Sequence, residues 1–180
     1  MGKKKLSSTM EDYLEAIFNL EKSKKAVRVK DIAKEMKVKL PTVTSMMGTL
    51  AQRGLINHEK YEYVELTTKG KHIAKDVYRK HVILRDFLID ILNIDKKTAE
   101  EDACKMEHTV SPVTLERVVK FMEFVENCPR GGSEWLQRFD DYQQHGRVDD
   151  KCLEQMKNFV KQYSTRIEEL EKKGNAGDLT

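Results

Sequence analysis

Apolar side chains recur every three or four residues through most of the chain, and this spacing predicts a mostly helical protein. The first three helical segments cover residues 9–22, 29–36 and 40–53. Pro41 suits the first turn of the third segment, because the N–H that proline lacks has no helical partner there. Gly54 is the residue type that most often follows the last turn of a helix, so we expect this helix to stop there.

The spacing of apolar residues changes after this glycine to the alternation that is typical of strands. Residues 55–59 and 63–67 are predicted to form two short strands, with Lys60 and Tyr61 near the tip of the hairpin. Helical spacing then returns, and it predicts helices over residues 68–93, 97–109, 112–127, 133–141 and 149–172, with a disordered end over 174–180.

The order of the first elements is helix, short helix, tight turn, helix and hairpin, which is the order of a winged helix-turn-helix. In such a domain the second helix of the pair lies in the DNA major groove. Its N-terminal end carries small polar or basic residues that could face base edges and phosphates: Lys39, Pro41, Thr42, Thr44 and Ser45. Lys60 and Tyr61 suit contacts to the DNA backbone, which position a protein without reading sequence. The alternative is a winged helix that serves protein contacts alone.

The composition agrees with a soluble globular protein that works in the cytoplasm. Charged residues make up 35% of the 180 residues, and the net charge of +3 is compatible with nucleic acid binding. No run of about 18 apolar residues is present, so we expect neither a membrane span nor a membrane partner. The basic start of the chain is not followed by an apolar run, which argues against a secretion signal. Three cysteines argue against a disulfide framework.

One motif combines three kinds of metal-binding side chain. Cys104, Glu107 and His108 stand at positions i, i+3 and i+4, and on a helix this spacing places a thiolate, a carboxylate and an imidazole on one face. Asp12 and Glu15 share a face of the first helix. His81 lies on the long helix, between this pair and the Cys104 motif in sequence. Taken singly, each has a structural reading: a lone cysteine is usually a small buried apolar group, and first-turn carboxylates interact with the helix dipole.

Three segments around the winged helix carry a resemblance to a known family. They are MEDYLEAI at 10–17, RKH at 79–81 and DACKMEH at 102–108. In their order and spacing they resemble the diphtheria toxin repressor family of iron- and manganese-dependent regulators. The resemblance covers about residues 8–140.

The resemblance implies a mainly α protein in three parts. They are a winged-helix DNA-binding domain with a small β-hairpin wing at 1–73, an all-helical metal-binding and dimerisation domain at 74–142, and a C-terminal helical extension with a disordered tail at 143–180. The expected partners are double-stranded operator DNA and a second copy of the chain. The metal ligands that it implies, position by position, are Asp12, Glu15, His81, Cys104, Glu107 and His108.

The expected cofactor is Fe(II) or Mn(II), in up to two sites per subunit, with Zn, Co or Ni as substitutes in vitro. Iron-sensing relatives have Met in the position of Asp12 and Cys in that of Cys104, whereas manganese-sensing relatives have Asp and Glu there. The chain mixes the two patterns, and the thiolate favours an Fe(II)-activated repressor, with Mn(II) activation as the alternative. Arg85 and Glu100 occupy positions of an ancillary iron-sensor site, and an arginine cannot ligate a metal.

Two other classes of protein are alternatives to a metal-dependent repressor. A metal-independent winged-helix regulator that senses an organic ligand would leave the Cys104 motif without a purpose. A hydrolytic zinc enzyme needs an open coordination position and a general base, often in a His-Glu-x-x-His motif, which the sequence lacks. We therefore expect a protein that is not an enzyme and that has no organic substrate.

Overall fold

The computed structural model describes residues 6–58, 63–127 and 133–146, together with single positions between 153 and 167. It confirms a mainly α fold with a small two-stranded hairpin. The elements in chain order are α1 (Ser8–Ser23), α2 (Val29–Met36), α3 (Leu40–Gln52), β1 (Ile56–His58), β2 (Val64–Leu66), α4 (Thr68–Asp86), a π-helical turn (Phe87–Ile91), α5 (Lys96–Met106), α6 (Pro112–Asn127) and α7 (Ser133–His145).

Local features mark the ends of the three N-terminal helices. The hydroxyl of Ser7 accepts a hydrogen bond from the backbone N–H of Met10, which caps α1. Lys37 ends α2 in a left-handed conformation with φ of 54°. Pro41 lies in the first turn of α3, and Gly54 follows its end with φ of 65°, as a C-terminal glycine would.

The hairpin is antiparallel, with Ile56 opposite Leu66 and His58 opposite Val64. Val27, which precedes α2, adds an isolated bridge to Val64, so the hairpin is fixed to the helical part of the domain. Lys60 and Tyr61, predicted at the tip, lie outside the described residues.

Two separate apolar cores lie in the first part of the chain, and α4 contributes to both. The first packs α1, α2 and α3 against the hairpin and Ala74 of α4, and it includes Leu14, Ile17, Ile32, Met47 and Leu50. The second packs the far end of α4 against α5 and α6, and it consists of Leu84, Leu88, Ala99, Ala103 and Leu115. Because α4 reaches from one core to the other, it connects the winged helix to the helices that follow.

The predicted helix over 68–93 does not keep one hydrogen-bonding pattern along its length. It is α-helical to Asp86 and then widens into the π-helical turn, where the N–H of Leu92 donates to the carbonyl of Phe87. The wider turn accommodates one more residue, with Leu88 and Ile91 both buried. Asn93, with φ of 51°, ends the element where the sequence predicts a boundary.

The chain divides into two compact units, residues 1–122 and 123–180. In the second unit α7 ends at His145, four residues beyond the predicted end at 141. The described positions between 153 and 167 are helical, in agreement with a final helix there. The division at residues 73 and 142 stays a prediction. Within the described part of the chain, no helix is long and apolar enough to cross a membrane.

Candidate metal centre

Five of the six predicted ligands meet where α1, α4 and the end of α5 come together. Asp12 and Glu15 belong to α1 and His81 to α4. Glu107 and His108 follow α5, because this helix ends at Met106 rather than at the predicted residue 109. The predicted motif therefore acts as the end of a helix plus the turn after it, not as one continuous helical face.

The first group of donors consists of Asp12, Glu107 and His108, whose ligand atoms lie within 4.8 Å of one another. Nε2 of His108 is 2.7 Å from Oδ1 of Asp12 and 3.3 Å from Oε1 of Glu107. This group joins α1, which belongs to the first core, to the turn after α5, which belongs to the second.

A second group consists of Glu15, His81 and Glu107, again with ligand atoms within 4.8 Å of one another. Nδ1 of His81 lies 2.7 Å from Oε2 of Glu107, and its Nε2 lies 3.1 Å from Oε1 of Glu100. Glu107 takes part in both groups through different oxygens, as a carboxylate shared between two neighbouring ions would.

Two groups of this centre are buried and the others are partly exposed, and the charges act on one another. Glu107 is 1% exposed and His81 is 8% exposed. Loss of hydration, followed by the charge of Glu107, raises the pKa of Glu15 to about 7. The hydrogen bond to Glu107 raises the pKa of His81 despite its burial. Burial would lower the pKa of His108, but its hydrogen bond to Glu11 and the charge of Asp12 outweigh this and raise the pKa.

The donor set fits a divalent cation. Oε1 of Glu107 and Nε2 of His108 are buried side-chain atoms without a hydrogen-bond partner, although they face each other and Asp12. Buried polar atoms are nearly always hydrogen-bonded, so two adjacent exceptions need an explanation. A cation held by Asp12, Glu107 and His108 would satisfy both atoms and offset the repulsion between the carboxylates.

Cys104 is the predicted ligand that the structure leaves outside both groups of donors. Its side chain is exposed, but the charged groups of the centre are near enough to affect the pKa of the thiol. Partial loss of hydration, followed by the carboxylates of Glu107 and Asp12, raises the pKa of the thiol to about 11. The thiol is therefore protonated near neutral pH unless a bound cation displaces the proton. That Cys104 ligates a metal stays a prediction.

Two further carboxylates contact the histidines of the centre: Glu11, which was not predicted to do so, and Glu100, which was noted only as occupying an ancillary-site position. Glu11 contacts Nδ1 of His108 at 2.8 Å, and Glu100 contacts Nε2 of His81. Glu11 belongs to the acidic first turn of α1, where a carboxylate is expected for the helix dipole alone, so the sequence gives no separate signal for it.

The predicted DNA-contacting residues of α3 lie at the surface. Lys39 precedes the helix, and the side chains of Pro41, Thr42, Thr44 and Ser45 are exposed along its N-terminal half. On the opposite side, Val43, Met47 and Leu50 are fully buried in the first core. The amphipathic pattern thus leaves one face of α3 available, while the contacts themselves stay a prediction.

Two domain families match the chain along most of its length. The N-terminal DNA-binding domain of iron-dependent repressors matches residues 5–64, and their metal-binding and dimerisation domain matches residues 67–136. These matches confirm the resemblance drawn from the three segments.

Similar proteins are themselves regulators of transcription. An uncharacterised helix-turn-helix regulator of Methanocaldococcus jannaschii is 39% identical over 119 residues, which cover 66% of this chain and 95% of the relative. The regulator MntR of Listeria welshimeri is 35% identical over 121 residues, 67% of this chain and 84% of the relative. Both relatives are described as transcriptional regulators rather than as enzymes.

Solved structures give the same result. The manganese regulator SloR is 37% identical with a TM-score of 0.58, and the match covers 67% of this chain and 56% of SloR. A manganese-dependent transcriptional repressor in complex with manganese is 28% identical with a TM-score of 0.59, over 64% of this chain and 53% of that protein. The chain thus spans just over half the length of these structures. From its two domain matches, its relatives and its fold, the chain belongs to the iron-dependent repressor family of metal-dependent transcriptional regulators.

Proposed function

We propose that this chain is a transcriptional repressor that binds operator DNA as a homodimer when a divalent metal ion is bound between α1 and the turn after α5. The observation that carries the proposal is the buried pair of Glu107 and His108, whose atoms without hydrogen-bond partners face Asp12 of the winged helix. The proposed metal ligands thus include a residue of the DNA-binding domain, Asp12.

The position of the centre suggests how metal binding would affect DNA binding. Asp12 and Glu15 stand on α1, which the first core fixes to α3, whereas Glu107 and His108 are attached to the second core. A bound ion would supply a positive charge that ties the two cores together. A shift from 1:99 to 99:1 in favour of the DNA-binding arrangement requires a difference of about 5.5 kcal/mol in binding free energy. New ligand bonds to two buried groups are of a size to provide it.

Mn(II) is the ion that we propose first. Both groups of donors consist of carboxylates and imidazoles, and oxygen-rich ligand sets suit Mn(II). Two of the similar solved structures, SloR and the manganese-dependent repressor, are also described as manganese regulators. Fe(II) is the second candidate, because the softer sulfur of Cys104 lies beside the centre and would favour iron if it turned inward.

The DNA partner follows from the winged helix and the proposed dimer. Two copies related by a two-fold axis would place their α3 helices about 34 Å apart, in successive major grooves, and would select a palindromic operator. Thr42, Thr44 and Ser45 would face base edges, and Lys39 would contact phosphate.

A titration of metal-free protein with its own promoter DNA tests the proposal. Fe(II) and Mn(II) are added separately, without oxygen and at one salt concentration, and DNA binding is followed by fluorescence anisotropy. We expect no specific binding with chelator and tight binding with ion. Equal affinity in both conditions would leave a constitutive or ligand-sensing regulator. The free concentrations at which each ion acts decide between Mn(II) and Fe(II), because affinity alone follows the Irving–Williams order.

Two variants test the ligands. His108→Ala should abolish metal-stimulated DNA binding and leave a folded dimer, and His72→Ala, an exposed histidine of α4, is the matched control. Cys104→Ala should also abolish metal-stimulated DNA binding if the thiolate is a ligand. If Asp12, Glu107 and His108 alone hold the ion, this variant should keep its activation by Mn(II). Metal-dependent binding that survives in both variants would overturn the assignment.

A further inference from the structure

The imidazole of His108 lies between two carboxylates that come from consecutive residues of α1. Its Nδ1 is 2.8 Å from Oε2 of Glu11, in hydrogen-bonding geometry, and its Nε2 is 2.7 Å from Oδ1 of Asp12. The side chain of His108 is 9% exposed, so water does not compete freely for either nitrogen. The two contacts differ in geometry: the contact of Nδ1 with Glu11 has the geometry of a hydrogen bond, whereas Nε2 faces Asp12 in a short ionic contact outside that geometry.

A neutral imidazole carries one proton, and the partner of one nitrogen decides which nitrogen keeps it. A carboxylate only accepts hydrogen bonds, so the contact with Glu11 requires a proton on Nδ1. In the neutral ring, Nε2 then has a lone pair in the space that it shares with Asp12 and Glu107, whereas the charged ring would have a proton there that faces Asp12. A neutral histidine binds a metal ion through the nitrogen that carries the lone pair.

We propose that Glu11 is a positioning residue of the metal centre, which holds His108 in the orientation and tautomer that leave Nε2 free for an ion. The proposal rests on the proposed function, since it assigns Glu11 a role toward the ion held by Asp12, Glu107 and His108. Histidines that bind metals commonly donate their second N–H to a carboxylate, and loss of such a partner weakens metal binding.

The same contact connects α1 to the turn after α5. Glu11 and His108 are 97 residues apart in sequence, and their hydrogen bond joins the first core to the side of the second. Glu11 and Asp12 belong to the same helix, α1. This helix thus supplies one proposed ligand, Asp12, and orients another, the ring of His108.

The tautomer of His108 in the metal-free protein gives the first test. Long-range ¹H–¹⁵N spectra, recorded at alkaline pH where the ring is neutral, distinguish a proton on Nδ1 from one on Nε2. We expect the Nδ1–H form in the wild type and in Glu11→Gln, whose amide oxygen still accepts a hydrogen bond. We expect a mixture, or mainly the Nε2–H form, in Glu11→Ala. A wild-type ring protonated on Nε2 would overturn the proposal whatever the protein binds.

The affinity for Mn(II) alone, measured by calorimetry without DNA, gives the second test. Glu11→Ala should weaken binding about 10–100-fold, and Glu11→Gln should lose less. The control combines Glu11→Ala with Thr9→Glu, which restores an acidic first turn on α1 without the contact to His108. We expect this control to bind Mn(II) as weakly as Glu11→Ala.

The outcomes separate the two proposals. If the wild type binds neither Mn(II) nor Fe(II), the proposed function fails, while the spectra still decide the role of Glu11 in orienting His108. If the wild type binds Mn(II) and Glu11→Ala binds it within twofold, Glu11 has no positioning role. Recovery of affinity in the control with Thr9→Glu would likewise overturn the proposal, because it would reduce the role of Glu11 to the helix dipole.

Discussion

Glu107 is the residue on which the candidate centre depends most, since it is fully buried and shared by both groups of donors. Burial, followed by the charge of Glu107, raises the pKa of Glu15 to about 7, which indicates that the two carboxylates repel each other. Glu107 thus repels Glu15 while it holds His81 at 2.7 Å, an arrangement expected of a site that binds a ligand.

Glu107→Gln should therefore leave the metal-free protein at least as stable as the wild type, because it removes one of several crowded charges. The stabilisation by metal should disappear with it, about 2.7 kcal/mol at an ion concentration 100 times Kd. Thermal unfolding with and without Mn(II) measures both effects, and Glu101→Gln, an exposed residue of α5, is the control. A strongly destabilised metal-free variant would show that the contact between Glu107 and His81 outweighs the repulsion.

Two glycines in helices should respond in opposite ways to a methyl group. A Cβ on Gly70 in the first turns of α4 would overlap the backbone carbonyl of Leu55, whereas a Cβ on Gly48 in α3 would meet no atom within 4 Å. Gly70→Ala should cost about 1–3 kcal/mol or more from overpacking. Gly48→Ala should stabilise the protein by about 0.5–1 kcal/mol, because alanine is the better helix former. Urea unfolding of the two variants compares them, and equal effects would contradict the close approach of α4 to Leu55.

At the scale of elements, the start of α4 depends on one hydroxyl. Oγ1 of Thr67 accepts from the N–H of Gly70 and donates to the carbonyl of Gly54, so it caps α4 and fixes the helix to the end of α3. Thr67→Ala should cost about 1 kcal/mol of unfolding free energy. Thr68→Ala, one residue later and exposed, should change it by less than about 0.5 kcal/mol. Similar losses in both variants would mean that the cap contributes little.

Most elements could be predicted from the sequence because their ends carry local signals. The bounds of α2 and α6 agree with the predicted segments, and Gly54 ends α3 where the apolar spacing changes. Predictions failed where the signal is not local. The π-helical turn after Asp86 leaves the apolar pattern of a long helix unchanged, and the early end of α5 leaves Glu107 and His108 at the spacing that a helix would give them.

At the scale of the whole molecule, the proposed function combines a metal response with binding to a polyanion. Lys39 precedes α3 and is exposed, so its contact would be to phosphate rather than to a base. Lys39→Ala should weaken binding to all sequences alike and reduce the slope of log K against log salt by about 0.9 for each lysine lost. Lys96→Ala, at the exposed start of α5, should leave the slope unchanged. A change of sequence preference with an unaltered slope would show that Lys39 reads bases.

The sequence by itself determined the helical class, the winged helix and six candidate ligands, because helical periodicity, capping residues and short motifs are local properties of the chain. The tertiary structure decided which of those ligands meet. The packing of α1 and α5 on α4 brings Asp12 to His108 across the boundary of two cores, and it leaves Cys104 outside both groups of donors. It also assigned Glu11 a partner 97 residues away. No periodicity encodes such a contact, since it depends on where separate helices cross and on which burial leaves a polar atom without a partner.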